Sequence, residues 1–549
     1  RSNNDRGLGQ AAKQVVQQNE VLEITFLSTR AYENPYLELD VDVQFTRNGS
    51  STVTVPAFWA GGDTWKVRFS SPAPGRFHYR TRCSDRANEG LHEEEGQLVV
   101  LPYQGPNELL RHGPLTIDDS NHIIHADGAP FLWLADSWWH GMTRRLPWPE
   151  GFQKLTLDRK EKGFSVIQFA IGYPCDIAAF DPRGANEAGF PTAPDYEKIN
   201  PDYFGWTDQR IQYLLANGLV PNIVGTWGYY LPWFGIENMK RYWRYLIARY
   251  GAYPVTWTLA GETTLTYYLT EEDKQDEMRQ FQRDGWSEVA KYIKANDPFE
   301  RLLTAHPGPA SGDFRPISDM TPLDLIMVQP GHRGWPTLAR SIDHLHRART
   351  LYPGKPIMQG EACFEGMHGG GCDAKLQRLL FWTNMLSGAD GHCYGADAIW
   401  QFNTEEESFG ASPGGHIWGN APWEEAYQSK GSFYVGLGRK ILQQYDWQRF
   451  EFRPAWVDPA ADEQHVEQAY AAGIPGQVRL FYFPDGVLPW GQRYHVLELD
   501  AGTTYRATFI DPLTGERYPV EGPITGMTKW TVPPAPILQD WLLELQAAQ

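Results

Sequence analysis

Cysteine is scarce in this chain of 549 residues: there are five, at Cys83, Cys175, Cys363, Cys372 and Cys393. Their number is odd and their spacing matches no metal-ligand pattern, which argues against a disulfide-built scaffold and a zinc module. Unpaired thiols fit a reducing compartment better than an oxidising one. No signal-type segment opens the chain, so the cytoplasm is expected, or a periplasmic or secreted location if a leader has been removed. Positive charge is in deficit, with a net charge of −18, which argues against nucleic acids and anionic membranes as partners, since these require basic surfaces. No apolar run approaches the roughly 18 residues of a membrane span. Three catalytic signatures are also missing. Without Gly-x-Gly-x-x-Gly after an early strand, dinucleotide binding has no support. Without His-Glu-x-x-His there is no zincin helix, and without Gly-x-Ser-x-Gly there is no serine nucleophile elbow.

Aromatic residues are plentiful, at 14% with 22 Trp. They serve large packed cores, and in a cleft they also serve as platforms for sugar rings. The length exceeds one ordinary domain, and the texture changes twice along it. Residues 1–17 are polar and read as an N-terminal arm. Residues 18–104 alternate polar and apolar, as in Val21–Phe26 and Leu37–Val43, between turn clusters such as Asn48-Gly49-Ser50. Such short strands at regular spacing predict an Ig-like β-sandwich. Residues 105–447 change to strand–loop–helix repetition with eight short apolar runs: Phe131–Ala135, Ser165–Ile171, Leu219–Gly225, Val255–Ala260, Leu302–Ala305, Leu325–Gln329, Pro356–Gln359 and Gly388–Tyr394. Helical periodicity fills the gaps, over Asn238–Tyr250, Glu271–Ala295 and Asp373–Leu386. In the second of these, Met278, Phe281, Trp286, Val289, Tyr292 and Ile293 form the apolar stripe. Eight alternations predict a (β/α)8 TIM barrel, with an open doubly wound sheet as the alternative. Residues 448–549 return to β texture, in Gln477–Phe483, Tyr494–Leu499 and Thr504–Phe509, and read as a second, accessory β-sandwich. The expected fold class is therefore multidomain: a central barrel flanked by two sandwiches.

A barrel keeps its chemistry at the C-terminal ends of its strands. The fourth run ends on Gly261-Glu262 and the seventh on Gly360-Glu361. Alone, either Glu would read as a surface ion pair or a helix N-cap. Together, on opposite exits of one barrel mouth, they match glycosidic-bond cleavage: one carboxylic acid protonates the leaving oxygen while the other carboxylate serves the anomeric carbon. Whether the pair retains or inverts depends on its separation. Around them, the exits offer Asp136 and Trp138, Trp227, His306, Gln329, His332, His392, Tyr394 and Trp400. These are candidates to bind sugar hydroxyls, form subsite walls or orient the carboxylates, and each taken singly also reads as a packing residue. Three His beside Glu361 raise a metal-dependent hydrolase. Yet Ala135-Asp136-Ser137 stands where such barrels carry a His-x-His pair, so neither metal nor other cofactor is expected.

These residues resemble the apiosidase-like glycoside hydrolases. The likeness lies in Trp133–Trp139, Gly163–Phe169, Trp257–Glu262, Met327–His332, Lys355–Glu361 and Gly391–Gly395 followed by Ile399-Trp400, in order along the barrel. Val55–Trp59, Gly62–Phe69 and Pro74–Arg80 resemble the small domain often fused N-terminally to such barrels. The C-terminal sandwich is similar to an accessory module named for collagen binding, from which no collagen binding is inferred. The resemblance implies a retaining O-glycoside hydrolase of plant-type or microbial glycans, with Glu262 as acid/base and Glu361 as nucleophile. It departs at one position, where apiosidases tend to carry Asp after Gly-Gly and this chain has Glu after Ala-Gly. One added methylene moves an acid by about a bond length, where errors near 1 Å are costly. An apiosyl or arabinofuranosyl furanoside and a galactosidase-like pyranoside are therefore both open as substrates. A non-catalytic glycan-binding barrel is the reading from outside enzymology. The expected partner is an oligosaccharide, polysaccharide or glycoside, with no nucleic acid, no membrane and self-association open.

Overall fold

The computed structural model describes residues 14–49, 51–309 and 314–548. Eight short parallel strands make the central sheet: β1 (Trp133–Ser137), β2 (Val166–Ala170), β3 (Val220–Val224), β4 (Thr256–Thr258), β5 (Leu303–Thr304), β6 (Ile326–Val328), β7 (Ile357–Gln359) and β8 (Gly391–Tyr394). Each lies inside or overlaps one of the eight apolar runs. The ladder runs β5-β4-β3-β2-β1-β8-β7-β6, and β1 pairs with β8 from Trp133↔Gly391 to Asp136↔Tyr394. Between β5 and β6 the closure passes to flanking groups. The Asp324 amide donates to the Leu303 carbonyl (2.8 Å), the Leu303 amide to the Asp324 carboxylate (2.7 Å), and the Thr304 hydroxyl to the Leu325 carbonyl (2.8 Å). Every residue of these strands is buried. Helices cover their outer face and side chains fill the inner one, which is why they read as continuous apolar runs.

The helices expected at Asn238–Tyr250, Glu271–Ala295 and Asp373–Leu386 form at Ile236–Tyr250, Gln275–Asn296 and Ala374–Met385. Asp373 caps the last through the Leu376 amide (2.8 Å), meeting one of the free donors at a helix start. Within Gln275–Asn296 the stripe differs from the expected one: Phe281 is 42% exposed and Gln282 is buried instead. The Gln282 amide donates to the carbonyls of Thr263 (2.9 Å) and Leu265 (2.7 Å). It thereby satisfies the loop that leaves β4, which apolar periodicity cannot anticipate.

Ahead of the barrel, Gln14–Gln17, Glu95–Leu101, Gly75–Cys83, Val41–Arg47 and Ser51–Pro56 form one sheet, and Leu22–Leu27, Thr64–Phe69 and Phe58–Trp59 another. Phe45 stacks on Phe69 between them (4.0 Å between centroids). The expected polar arm falls largely on residues 1–13, outside the described residues. Its end differs from expectation, because Gln14–Gln17 pairs in parallel with Leu98–Leu101. After the barrel, a six-stranded sheet containing Tyr470–Ile474, Val478–Phe483, Tyr505–Ile510 and Trp541–Ala547 faces a three-stranded one. Cys363 and Cys372 are disulfide-bonded, so the reading of all five cysteines as unpaired does not hold; Cys83, Cys175 and Cys393 are free and buried. Among the described residues no helix is long and apolar enough to cross a membrane.

Candidate active site

Both carboxylates stand just past the ladder, on backbone held by isolated bridges that prolong it. Trp227↔Gly261 extends the β3–β4 pairing and Gly331↔Ala362 extends β6–β7. A Cβ at Gly261 would sit 2.3 Å from the Trp227 ring, so glycine there lets the indole lie against the backbone. The next residue, Glu262, has φ 45°, a left-handed conformation that L residues adopt at a cost of about 1–2 kcal/mol. Two neutral donors hold its carboxylate in that position: Trp227 Nε1 to Oε2 and Gln329 Nε2 to Oε1, both at 3.1 Å.

Glu361 is held differently. The Phe364 amide donates to His332 Nδ1 (2.9 Å), which makes that nitrogen an acceptor and puts the imidazole proton on Nε2. Nε2 then donates to Glu361 Oε1 (2.8 Å). His306, fully buried, contacts the Pro307 carbonyl through Nδ1 (3.0 Å) and places Nε2 3.2 Å from Glu361 Oε2. His306 thus stands within ion-pair distance of Oε2 while His332 holds Oε1, so each carboxylate oxygen faces an imidazole.

These surroundings drive two identical side chains in opposite directions. Burial first, and then the negative charge of Glu361, push the Glu262 pKa up to about 7. Burial would also raise Glu361, but His306 and His332 outweigh it and hold its pKa at about 2. For His306, burial lowers the pKa and Glu361 more than offsets it, leaving the ring above its ordinary value. Near neutral pH the pair therefore consists of a carboxylic acid and a carboxylate, the division of labour that acid-assisted displacement needs.

Glu262 and Glu361 line one cavity of about 180 Å³. Of the residues singled out in the sequence, Trp227, Gln329, His332 and Trp400 line it with them, and His306 backs it through Glu361. Four others lie elsewhere. Asp136 is fully buried in an ion pair with Arg159 (2.6 Å) and accepts from Trp138 Nε1 (2.7 Å), which turns both side chains into the barrel wall. His392 is buried against Phe381 (5.5 Å). Tyr394, considered as a holder of the nucleophile, instead donates to Glu365 (2.6 Å). Conversely, Trp139, Asp176, Tyr268, Phe364 and Trp418 line the cavity without having been singled out. Trp139 packs edge-on to Trp227 (5.1 Å) and His306 (5.4 Å); its only sequence signal was its place beside Trp138. The others stand on loops, where no periodicity marks them. Among the described residues no group of three His, Cys, Asp or Glu is arranged around a metal-sized space.

Residues 118–449 match the family model described as "Apiosidase-like, catalytic domain", and residues 15–84 match a domain model of unknown function. No curated protein matches the sequence. Among solved structures, the chain is similar to a candidate glycoside hydrolase from Bacteroides vulgatus at 16% identity and a TM-score of 0.73, covering 98% of this chain and 100% of that one. A second structure, described as a glycoside hydrolase, shares 18% identity over 79% of this chain and 97% of its own, with a TM-score of 0.65. A family 5 glycoside hydrolase from Bacteroides vulgatus also scores 0.65, at 17% identity over 79% of this chain and 93% of its own. At these identities the solved structures support the fold: a TIM barrel with flanking β-sandwiches.

Proposed function

The chain belongs to the apiosidase-like family of catalytic domains, and from that premise we propose that it is a retaining O-glycoside hydrolase working by double displacement. Glu361 is the nucleophile: its carboxylate is kept ionised, with Oε1 tied to His332 and Oε2 in ion-pair contact with His306. Glu262 is the acid/base. Held protonated near neutral pH, it gives its proton to the leaving oxygen as Glu361 attacks the anomeric carbon. It then takes a proton from the water that releases the sugar. Trp227 and Gln329, both neutral donors, hold Glu262 in place without stabilising its charged form as a cation would. The observation that carries this reading is two buried carboxylates lining one cavity, one held by neutral donors and the other set between two imidazoles.

The walls support a reading of the substrate class. A cavity of about 180 Å³ lies below the roughly 300–1,000 Å³ of drug-sized ligand sites, and its Trp-rich lining supports a single sugar ring stacked on aromatic faces. We read the enzyme as removing one sugar residue from a plant-type or microbial glycan or glycoside, with apiosyl and arabinofuranosyl furanosides the first candidates. The extra methylene of Glu262 makes the choice of sugar an experimental question. A screen of aryl furanosides and pyranosides, followed by NMR of the first-formed anomer, tests the proposal. Hydrolysis with retained configuration is expected, lost in Glu361→Gln with the fold intact. Full activity in that variant, or an inverted product, contradicts it.

A further inference from the structure

We propose that Asp176 determines sugar specificity, accepting hydrogen bonds from ring hydroxyls of the sugar seated between Glu262 and Glu361; this rests on the glycosidase reading above. Asp176 stands on the long loop after β2, half-buried, and lines the same cavity as the two glutamates. Its backbone is left-handed, with φ 58°. Asp adopts this conformation more readily than most L residues, and its neighbours decide which way the carboxylate turns. Here two other loops supply the constraint. The Asp176 amide donates to the Tyr268 hydroxyl (3.0 Å), on the segment that follows β4. Trp418 Nε1, on the segment that follows β8, donates to Asp176 Oδ1 (3.2 Å). Tyr268 and Trp418 both line the cavity themselves.

The chemistry of this third carboxylate differs from that of the catalytic pair. Burial raises its pKa; the Trp418 indole, the Cys175 thiol and the Tyr268 hydroxyl pull it back, and the charge of Glu361 adds to the rise. No cation figures among these influences. A carboxylate offers about four acceptor positions, so the indole, thiol and hydroxyl beside it leave acceptor capacity for a ligand in the cavity. Burying such a group without donors is costly, and the hydroxyls of a sugar ring are donors of the right kind. Trp418 adds an apolar face beside the same group, its ring braced by His416 (4.3 Å). A carboxylate next to an aromatic face grips the polar edge and the apolar face of one ring together.

Asp176→Asn is the informative change, since Asn keeps the shape and tolerates the left-handed backbone but loses one acceptor oxygen. The measurement is kcat/KM on the aryl glycoside that the wild type cleaves best and on each of its monodeoxy analogues. The variant is expected to lose about 10- to 100-fold on the parent glycoside, the scale of a hydrogen bond to a charged group. It should also no longer discriminate against the one deoxy analogue that lacks the gripped hydroxyl, while discrimination at the other positions is unchanged. Trp418→Phe keeps the aromatic face and removes the indole N–H; it is expected to blunt selectivity at the same position, and it carries the test if Asp176→Asn does not fold. Identical deoxy profiles for wild type and variants would overturn the assignment of Asp176 while leaving the glycosidase reading intact. A wild type that hydrolyses no glycoside would overturn that reading and this assignment with it.

Discussion

Glu262 accepts hydrogen bonds from an indole and an amide, neither of them charged, whereas Glu361 accepts from one imidazole and faces a second. That difference in neighbours sets the expected pH dependence. Activity needs Glu361 ionised and Glu262 protonated, so kcat/KM should rise with an acid limb near pH 2 and fall with a basic limb near pH 7. His332→Ala removes one of the two groups that lower the Glu361 pKa. Its acid limb should therefore move up toward the ordinary carboxylate value while the basic limb stays; a pH profile of the variant reads both. Asp136 belongs to the opposite class of residue. It is paired with Arg159, and both side chains are fully buried. Asp136→Ala should cost about 1–3 kcal/mol, measured by denaturant unfolding, because Arg159 and the Trp138 indole lose a buried acceptor while Arg159 keeps Asp158 (2.6 Å). Wild-type stability together with lost activity would return Asp136 to the sugar site. Strand-exit reading found Glu262 and Glu361 because the residue that follows a barrel strand emerges at the mouth whatever the loops do. It placed Asp136 and Trp138 in the cleft because sequence does not reveal that the Trp138 indole turns back to the Asp136 carboxylate.

Among the elements, the segment after β7 does the most for the site. It supplies Glu361, then Phe364, whose amide fixes the His332 tautomer, and it is closed by the Cys363–Cys372 bond across a separation of 9 residues. Cross-linking a loop of that length removes about 2–3 kcal/mol of unfolded-state entropy. Replacing Cys372 by Ser should lower stability by that order and move the acid limb of activity upward, because His332 loses its fixed partner; unchanged melting and pH profiles would show that the loop holds without its staple. The strands and helices of the barrel were legible because burial on both faces leaves a continuous apolar run and helix packing leaves a 3.6-residue stripe. The loops carrying Asp176, Tyr268 and Trp418 were not, since their conformations depend on hydrogen bonds between segments far apart in sequence. The disulfide was missed for the same reason: an odd count of cysteines does not say which two meet.

Taken as a whole, the molecule interlocks its three layers through buried arginines. Arg68 of the first sandwich reaches the Asp208 carboxylate (2.7 Å) and the Arg249 carbonyl (2.7 Å) of the barrel. Arg378 of the barrel holds Asp540 of the last sandwich through two hydrogen bonds (2.7 and 2.6 Å), and Tyr482 donates to the same carboxylate (2.7 Å). The apolar core of the barrel is continuous with Tyr36 and Phe58 on one side and with Tyr482 and Leu542 on the other. Calorimetry should therefore show one cooperative transition, and Asp540→Ala should lower its stability by about 3–5 kcal/mol. Separate transitions for the sandwiches would show that these contacts do not couple them. The alternation that announced each sandwich in the sequence carries no trace of this docking, because the residues responsible are isolated arginines in otherwise polar positions.

Glu361 is the proposed nucleophile, its ionisation enforced by His306 and His332. Mass spectrometry of the protein treated with an activated 2-deoxy-2-fluoro glycoside of the sugar it cleaves tests this most directly. A covalent adduct is expected on the peptide carrying Glu361; an adduct on any other residue, or turnover to product of inverted configuration without an adduct, would contradict the assignment.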